Sequence, residues 1–271
     1  MSTPRTVLVT GSTDGIGKAT ALALAKAGLR VIVHGRSRPR VERALSELQA
    51  AVPGADLDAI SFDLGSLASV RKGAEEVQKK APQLHVLINN AGIFAAERVL
   101  TGDNIEATLA VNHVGHYLLT HLLTPQLEAA APARVVILSS IAHTRGRIHL
   151  DDLSLERAFS GYAAYAQSKL ANVMHALDLA DRFDPEKIAA YSLHPGVIST
   201  KLLREGFGPV RGASVTQGAA VPLMLATAEK VEEPSGTYWS EGKVSAPAQA
   251  ALDGTVRDAL RIATERLAGI E

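Results

Sequence analysis

Near its start the chain runs from a short apolar strand, Thr6 to Thr10, through Gly11-Ser12-Thr13-Asp14-Gly15-Ile16-Gly17 into an Ala- and Leu-rich segment at 16–27. Few features constrain a fold more. Glycine lets the backbone turn sharply and lets a ligand approach it closely. A helix that starts there presents unpaired N–H groups and the positive end of its dipole, which suits a pyrophosphate. Glycines alone would also make a tight turn with no ligand. The pattern of the chain beyond the turn decides between the two.

Apolar runs alternate with amphipathic ones along the whole chain. Strands are expected at 30–34, 57–62, 84–89, 134–139, 188–194 and 236–240, with helices at 38–51, 66–80, 104–128, 163–182, 215–227 and 253–267. Such alternation indicates βαβ units. Continuously apolar strands indicate burial on both faces, as in a parallel sheet. The expectation is an α/β fold: a doubly wound parallel sheet of about seven strands flanked by helices. No linker divides the chain, so 1–271 is expected to be a single domain. The glycine-rich stretch 201–214 is expected to be a loop over a site.

The formal net charge is zero and the basic residues are dispersed, which gives no reason to expect a nucleic-acid partner. There are no cysteines, so disulfides, Cys-ligated zinc and thiol catalysis are excluded. No run of about 18 apolar residues suggests a membrane span. The start of the chain lacks the features of a signal peptide, so a soluble cytoplasmic protein is expected.

The turn has the spacing TGxxxGIG, which resembles the fingerprint of the short-chain dehydrogenase/reductase family. Further segments agree in order: Asn89-Asn90-Ala91-Gly92, then Asn112, Ser139-Ser140, Tyr165-Ala166-Gln167-Ser168-Lys169, and Pro195-Gly196-Val197-Ile198-Ser199-Thr200. The wording of VNHVGHYLLT, SSIAH, YAQSKLANVMHALDLA and LHPGVIST is similar to the retinol-dehydrogenase-like branch. The resemblance implies a Rossmann-type domain and an oxidoreductase that moves a hydride between nicotinamide and a carbonyl or alcohol. It further implies a homodimer or homotetramer, paired through the helices that hold Asn112 and Tyr165.

Tyr165 and Lys169 are spaced i, i+4 and share one helix face. A nearby ammonium is expected to lower the tyrosine pKa towards the operating pH, which suits proton transfer to a developing alkoxide. The resemblance implies that Lys169 also holds the nicotinamide ribose. It implies that Ser140, or less fittingly Ser139, holds the substrate oxygen, and that Asn112 holds a water in a relay towards the lysine. His113 and His116 are expected to be structural, and no metal is expected.

After the second strand, Gly35 stands where an NAD-preferring fold usually places an acid, and Arg36 and Ser37 follow. A guanidinium suits a 2′-phosphate. NADP(H) is therefore the expected cofactor, with NAD possible, and Arg38 or Arg40 would add contacts. Asp63 and Leu64 resemble the family's adenine contacts; Ile198 and Thr200 resemble its carboxamide contacts. A small, partly apolar carbonyl or alcohol substrate is expected between 93–98, 141–161 and 201–214, against Phe94, Leu202, Leu203 and Phe207. The competing class is a non-catalytic NADP-binding sensor on the same scaffold.

Overall fold

The computed structural model describes residues 4–270. The chain runs β1 (Thr6–Val9), α1 (Gly15–Lys26), β2 (Arg30–Gly35), α2 (Arg38–Ala51), β3 (Leu57–Ser61), α3 (Leu67–Lys80) and β4 (Val86–Asn89). A short α4 (Ala107–Leu109) passes through a π turn (Ala110–Val114) into α5 (Gly115–Ala129). Then come β5 (Ala133–Leu138), α6 (Gly161–Arg182), β6 (Ile188–His194), α7 (Lys201–Phe207), α8 (Val215–Gly218), α9 (Ala220–Thr227), β7 (Tyr238–Ser240), β8 (Lys243–Ser245) and α10 (Gly254–Ala268).

The strands form one sheet in the order β3-β2-β1-β4-β5-β6-β7-β8. Every pairing is parallel except β7 with β8. The chain winds outwards from β1 in one direction, returns to β4 and winds out in the other. A crevice therefore opens beyond the carboxyl ends of β1 and β4, where ligands bind in doubly wound sheets.

Strand residues alternate between two cores. Leu8, Ile32, Leu87 and Val135 pack with Val70 and Val77 of α3 and Leu118, Leu119 and Leu123 of α5. Val7, Val9, Val31, Val33, Val86 and Ile88 face the other way, onto Leu24 of α1, Leu48 of α2 and Leu225 of α9. Both faces are apolar because both are covered. Truncating one such leucine to alanine costs about 2–5 kcal/mol.

Two expectations need correction. The sheet has an eighth strand: Glu241 (φ 51°) and Gly242 (φ 84°) turn the chain back as a two-residue hairpin, and β8 is too short and exposed to show an apolar run. The stretch 201–214 is not all loop, because α7 occupies its first half. Thr200 caps α7 by accepting from Leu203 N, and Gly208 (φ 79°) ends it.

The C-terminal helix lies across α5 and α6. His113 meets Thr264 at 3.0 Å, and Tyr117 donates to Glu265 at 2.9 Å. Arg261 sits 3.5 Å from Asp178, and Arg257 sits 2.8 Å from Asp181. The faces expected to pair two copies thus carry the chain's own helix. No helix among the described residues is long and apolar enough to cross a membrane.

Candidate active site

A cleft of about 750 Å³ runs along the carboxyl ends of the central strands, from Gly11 and Gly17 at one end to Leu202 and Phe207 at the other. The first turn of α1 opens onto it. Asp14 caps that helix by accepting from Gly15 N at 2.7 Å. The glycines are forced by close approach. A Cβ on Gly11 would lie 2.8 Å from Ala91 Cα, and one on Gly17 would lie 2.4 Å from Gly11 O. Thr13, Asp14, Gly15 and Ile16 also line the cleft. Ser12 does not: its hydroxyl donates to Val9 O at 2.8 Å and accepts from His34 N at 2.9 Å, so it holds the turn from behind.

Asn90, Ala91 and Gly92 line the opposite wall. The Asn90 amide donates to Thr10 O at 2.7 Å, tying this segment to the end of β1. Thr10 Oγ1 accepts from the N–H groups of Asn90 and Ala91 at 2.9 and 3.0 Å. Asp63 and Leu64 line the far end, where the Asp63 carboxylate accepts from Gly65 N at 2.9 Å. The backbone cradle, the open helix end and the length of the cleft fit a dinucleotide.

At the end of β2, a Cβ on Gly35 would lie 2.5 Å from Thr13 Cγ2 and 3.0 Å from Val41 Cγ2. No carboxylate fits at that position as the turn stands. Arg36 is exposed and lines the cleft, and no hydrogen bond or ion pair engages its guanidinium among the described residues. Arg40 also lines it, 4.0 Å from Asp14. Arg38 instead bonds Glu42 at 2.9 Å, and Ser37 starts α2 without lining the cleft.

At the middle of the cleft, Ser140, Tyr165 and Lys169 come together. Ser140 follows β5 and starts a 3₁₀ turn, Ile141–Arg145, by accepting from Ala142 N at 3.2 Å. Its hydroxyl stands beside the Tyr165 phenol and draws that group's pKa down. Ser139 donates to Lys169 O at 2.7 Å and is buried. Of the two serines, Ser140 therefore meets the phenol and Ser139 anchors α6.

The Lys169 ammonium donates to Leu138 O at 3.1 Å and lies 5.6 Å from the centre of the Tyr165 ring. The expected lowering of the tyrosine pKa is absent. Burial pushes the Tyr165 phenol up to about 12, against the pull of the Ser140 hydroxyl. Burial also brings Lys169 down to about 8. Desolvation outweighs the ammonium because Lys169 turns its charge to a carbonyl and not to the phenol. The site thus holds a protonated phenol at neutral pH, poised to donate.

Asn112 departs from expectation as well. Its Oδ1 accepts from Ile93 N at 2.8 Å, and its Nδ2 donates to Ile93 O at 3.1 Å and to Ser168 Oγ at 3.0 Å. Every polar group of the side chain is engaged, and none reaches the cleft. Asn112 braces the wall that holds Gly92 and Ile93.

Pro195, Gly196, Ile198 and Thr200 form the roof. Ile198 bridges to Ala213, and Ser199 N donates to Ala213 O at 2.9 Å, which pins the segment after α7 over the cleft. Ile141, Ala142, Tyr162, Leu202, Leu203, Phe207 and Val210 make the outer half apolar. Phe94 stands behind it, 5.8 Å from Tyr165 and 5.3 Å from Phe207 between ring centres. Arg98 points elsewhere, to Ser154 O at 2.9 Å.

Sequence reasoning missed His34. It is buried, lines the cleft, accepts from Gly11 N at 3.1 Å through Nδ1 and meets Phe62 O at 3.1 Å through Nε2. Its signal was its place on β2, beside the turn of β1. His143 was also missed: its ring joins Ser140 O, at 2.7 Å, to Ala248 N, at 3.0 Å. Among the described residues, no group of His, Asp and Glu side chains is arranged to hold a metal ion.

The short chain dehydrogenase family model matches residues 5–207. Retinol dehydrogenase 12 of Bos taurus is 40% identical over 248 residues, covering 88% of this chain and 78% of that protein. Retinol dehydrogenase 13 of Homo sapiens is 38% identical over 282 residues, covering 98% and 85%. Among solved structures, an uncharacterized protein from Mycobacterium paratuberculosis superposes with a TM-score of 0.82 at 32% identity, covering 98% of this chain and 94% of that one. An NADPH-bound carbonyl reductase from chicken fatty liver superposes with a TM-score of 0.70 at 25% identity, covering 90% and 100%. With a cradle for a dinucleotide beside a Ser–Tyr–Lys cluster, and a family match along most of its length, the chain belongs to the short chain dehydrogenase family and is an NAD(P)-dependent oxidoreductase.

Proposed function

We propose that the protein is an NADP(H)-preferring reductase of apolar carbonyl compounds, which oxidises the corresponding alcohols when run in reverse. The observation that carries this reading is the meeting of the Ser140 and Tyr165 hydroxyls at the centre of the cleft, with Lys169 one turn further along α6. Bound there, the cofactor supplies the hydride that reduces the carbonyl carbon.

The chain's own residues do the rest. Ser140 donates to the substrate oxygen and holds it beside Tyr165. The Tyr165 phenol gives its proton to that oxygen as negative charge develops, leaving an alcohol. Lys169, cationic below about pH 8, stabilises the tyrosinate that remains and holds the ribose. The apolar outer half, closed by Phe207 and Leu202 of α7, excludes water from the reacting atoms. Asn112 keeps the Gly92–Ile93 wall in place.

Preference for NADP(H) rests on Gly35 and Arg36. The first position has no room for an acid, and the second offers an unengaged guanidinium to a 2′-phosphate. NADP-bound relatives among the solved structures, at 25% and 26% identity, support the same choice. The names of the retinol dehydrogenases support an apolar alcohol or aldehyde as substrate.

A panel of aliphatic and aromatic aldehydes and ketones, followed by loss of NADPH absorbance, tests the proposal. Turnover by the wild type and its loss in Tyr165→Phe are expected. NADPH binding without turnover of any substrate would instead favour a sensor.

A further inference from the structure

His116 lies on the first turn of α5 and is buried, with both ring nitrogens engaged. Nδ1 is 3.1 Å from the carbonyl oxygen of Asn112, and Nε2 is 2.8 Å from Thr10 Oγ1. The first contact says where the ring proton lies: a carbonyl can only accept, so Nδ1 carries the proton and donates it. The bonds around Thr10 agree.

Thr10 Oγ1 already accepts twice, from Asn90 N and Ala91 N. A hydroxyl oxygen has two acceptor sites and one proton. The Thr10 proton is the group that best meets His116, 2.8 Å away, against 3.3 Å to Ile88 O. Ile88 O already takes the N–H of Thr10 at 3.0 Å and shares the N–H of Asn90 with Thr10 Oγ1. With Nδ1 donating to the Asn112 carbonyl, Nε2 of the neutral ring is the bare nitrogen and accepts from Thr10 Oγ1. Reversing the tautomer would set a lone pair against that carbonyl and a third donor against Thr10.

We infer that His116 is a positioning residue, a neutral Nδ1–H imidazole that couples the cofactor-binding turn to the segment bearing Asn112. Through Thr10 it fixes the end of β1 just before Gly11, together with Asn90 and Ala91 of the facing wall. Through Asn112 it fixes the π turn whose side chain braces Ile93 and Ser168. Thr10 and His116 are 106 positions apart, so the ring adds a second tie between the walls beside the one that Asn90 makes to Thr10. The inference rests on the proposed function insofar as the coupling serves cofactor and catalysis; the tautomer stands without it.

The two arms can be cut separately. Asparagine at 116 places an amide nitrogen where Nδ1 is and keeps the Asn112 arm. Glutamine places an amide oxygen where Nε2 is and keeps the Thr10 arm. Three variants of the full chain, His116→Asn, His116→Gln and His116→Leu, are titrated with NADPH by fluorescence and assayed with one aldehyde under saturating NADPH. His116→Asn is expected to raise the NADPH dissociation constant about tenfold with kcat nearly unchanged. His116→Gln is expected to keep the dissociation constant and lower kcat. His116→Leu is expected to lose both.

Parallel losses of binding and kcat in all three, or no loss in any, would overturn the coupling. The ring nitrogens of His116 in the cofactor-free wild type, read by ¹⁵N NMR, are expected to show a protonated Nδ1 and a bare Nε2. The opposite tautomer, or an imidazolium at neutral pH, would overturn the inference directly. A wild type that binds neither NADPH nor NADH would remove the proposed function instead, and the NMR result would still decide the tautomer.

Discussion

Lys169 gives its ammonium to the carbonyl oxygen of Leu138 at 3.1 Å and leaves the phenol of Tyr165 to the hydroxyl of Ser140. Asn172 donates to the same carbonyl at 3.1 Å, so the end of β5 is held to α6 by two donors. In this arrangement the phenol is kept protonated by burial, and the lysine acts on it only as charge develops. Replacing Tyr165 by phenylalanine is expected to lower kcat by about 10²–10⁴-fold. The NADPH dissociation constant should stay near the wild-type value. Stopped-flow turnover and a fluorescence titration measure the two.

The pH profiles of the two directions should differ. With Tyr165 raised to about 12, the donor for carbonyl reduction is present across neutral pH. Reduction should be flat there and decline as pH passes about 8, where Lys169 loses its charge. Alcohol oxidation needs the deprotonated phenol and should rise with pH over the neutral range. A bell centred near pH 7 for both directions would contradict this assignment.

Gly35→Asp, the obvious change to make the site prefer NAD, is expected to fail. The new side chain would meet Thr13 Cγ2, 2.5 Å from its Cβ, in the wall of the phosphate turn. Weaker binding of both cofactors is expected, with no gain for NADH. Adding Thr13→Ala should recover NADH binding in part. Calorimetric titration of both variants with both cofactors checks this.

Stability should depend on pH through buried histidines. Burial lowers His34 and His113 to about 4 and His116 to about 3, and takes His175 well below its ordinary value. The unfolded chain titrates these groups near 6.5. Between the folded and unfolded values the unfolded state binds more protons, so stability rises with pH in that window. It is present in full above about 6.5 and is lost as pH falls towards 4. Asp178 works in the opposite sense, because burial raises its carboxyl. For His34 alone the loss is on the order of 3 kcal/mol. Urea midpoints measured from pH 7.5 down to 4.5 should fall steadily; a flat series would contradict the burial of neutral histidines.

Much of the sheet was legible because β1, β2, β5 and β6 carry apolar residues at successive positions and not at alternate ones, as two-sided burial demands. The cleft was legible where chemistry demands fixed spacing, as in 11–17 and in Tyr165 with Lys169. Local signals failed elsewhere. In 201–214 the glycines outweighed the Thr200 cap and the helix-forming Leu202, Leu203, Arg204 and Glu205 that make α7. β8 is three residues long and owes its place to the turn at Glu241 and Gly242. His34 and His116 gave no local sign of their work, since their partners Gly11 and Thr10 belong to another strand end. The pKa of Tyr165 was misjudged for a related reason. Spacing puts Lys169 on the same helix face, but desolvation at that depth is set by the whole fold.

The central claim is an NADP(H) site built on Arg36, and the most direct test is to titrate the wild type and Arg36→Gln with NADPH and with NADH. The wild type is expected to bind NADPH at least about tenfold more tightly, a difference of about 1.4 kcal/mol. Arg36→Gln should abolish that preference and leave NADH affinity unchanged. Equal affinities in the wild type, or a preference that survives the substitution, would contradict it.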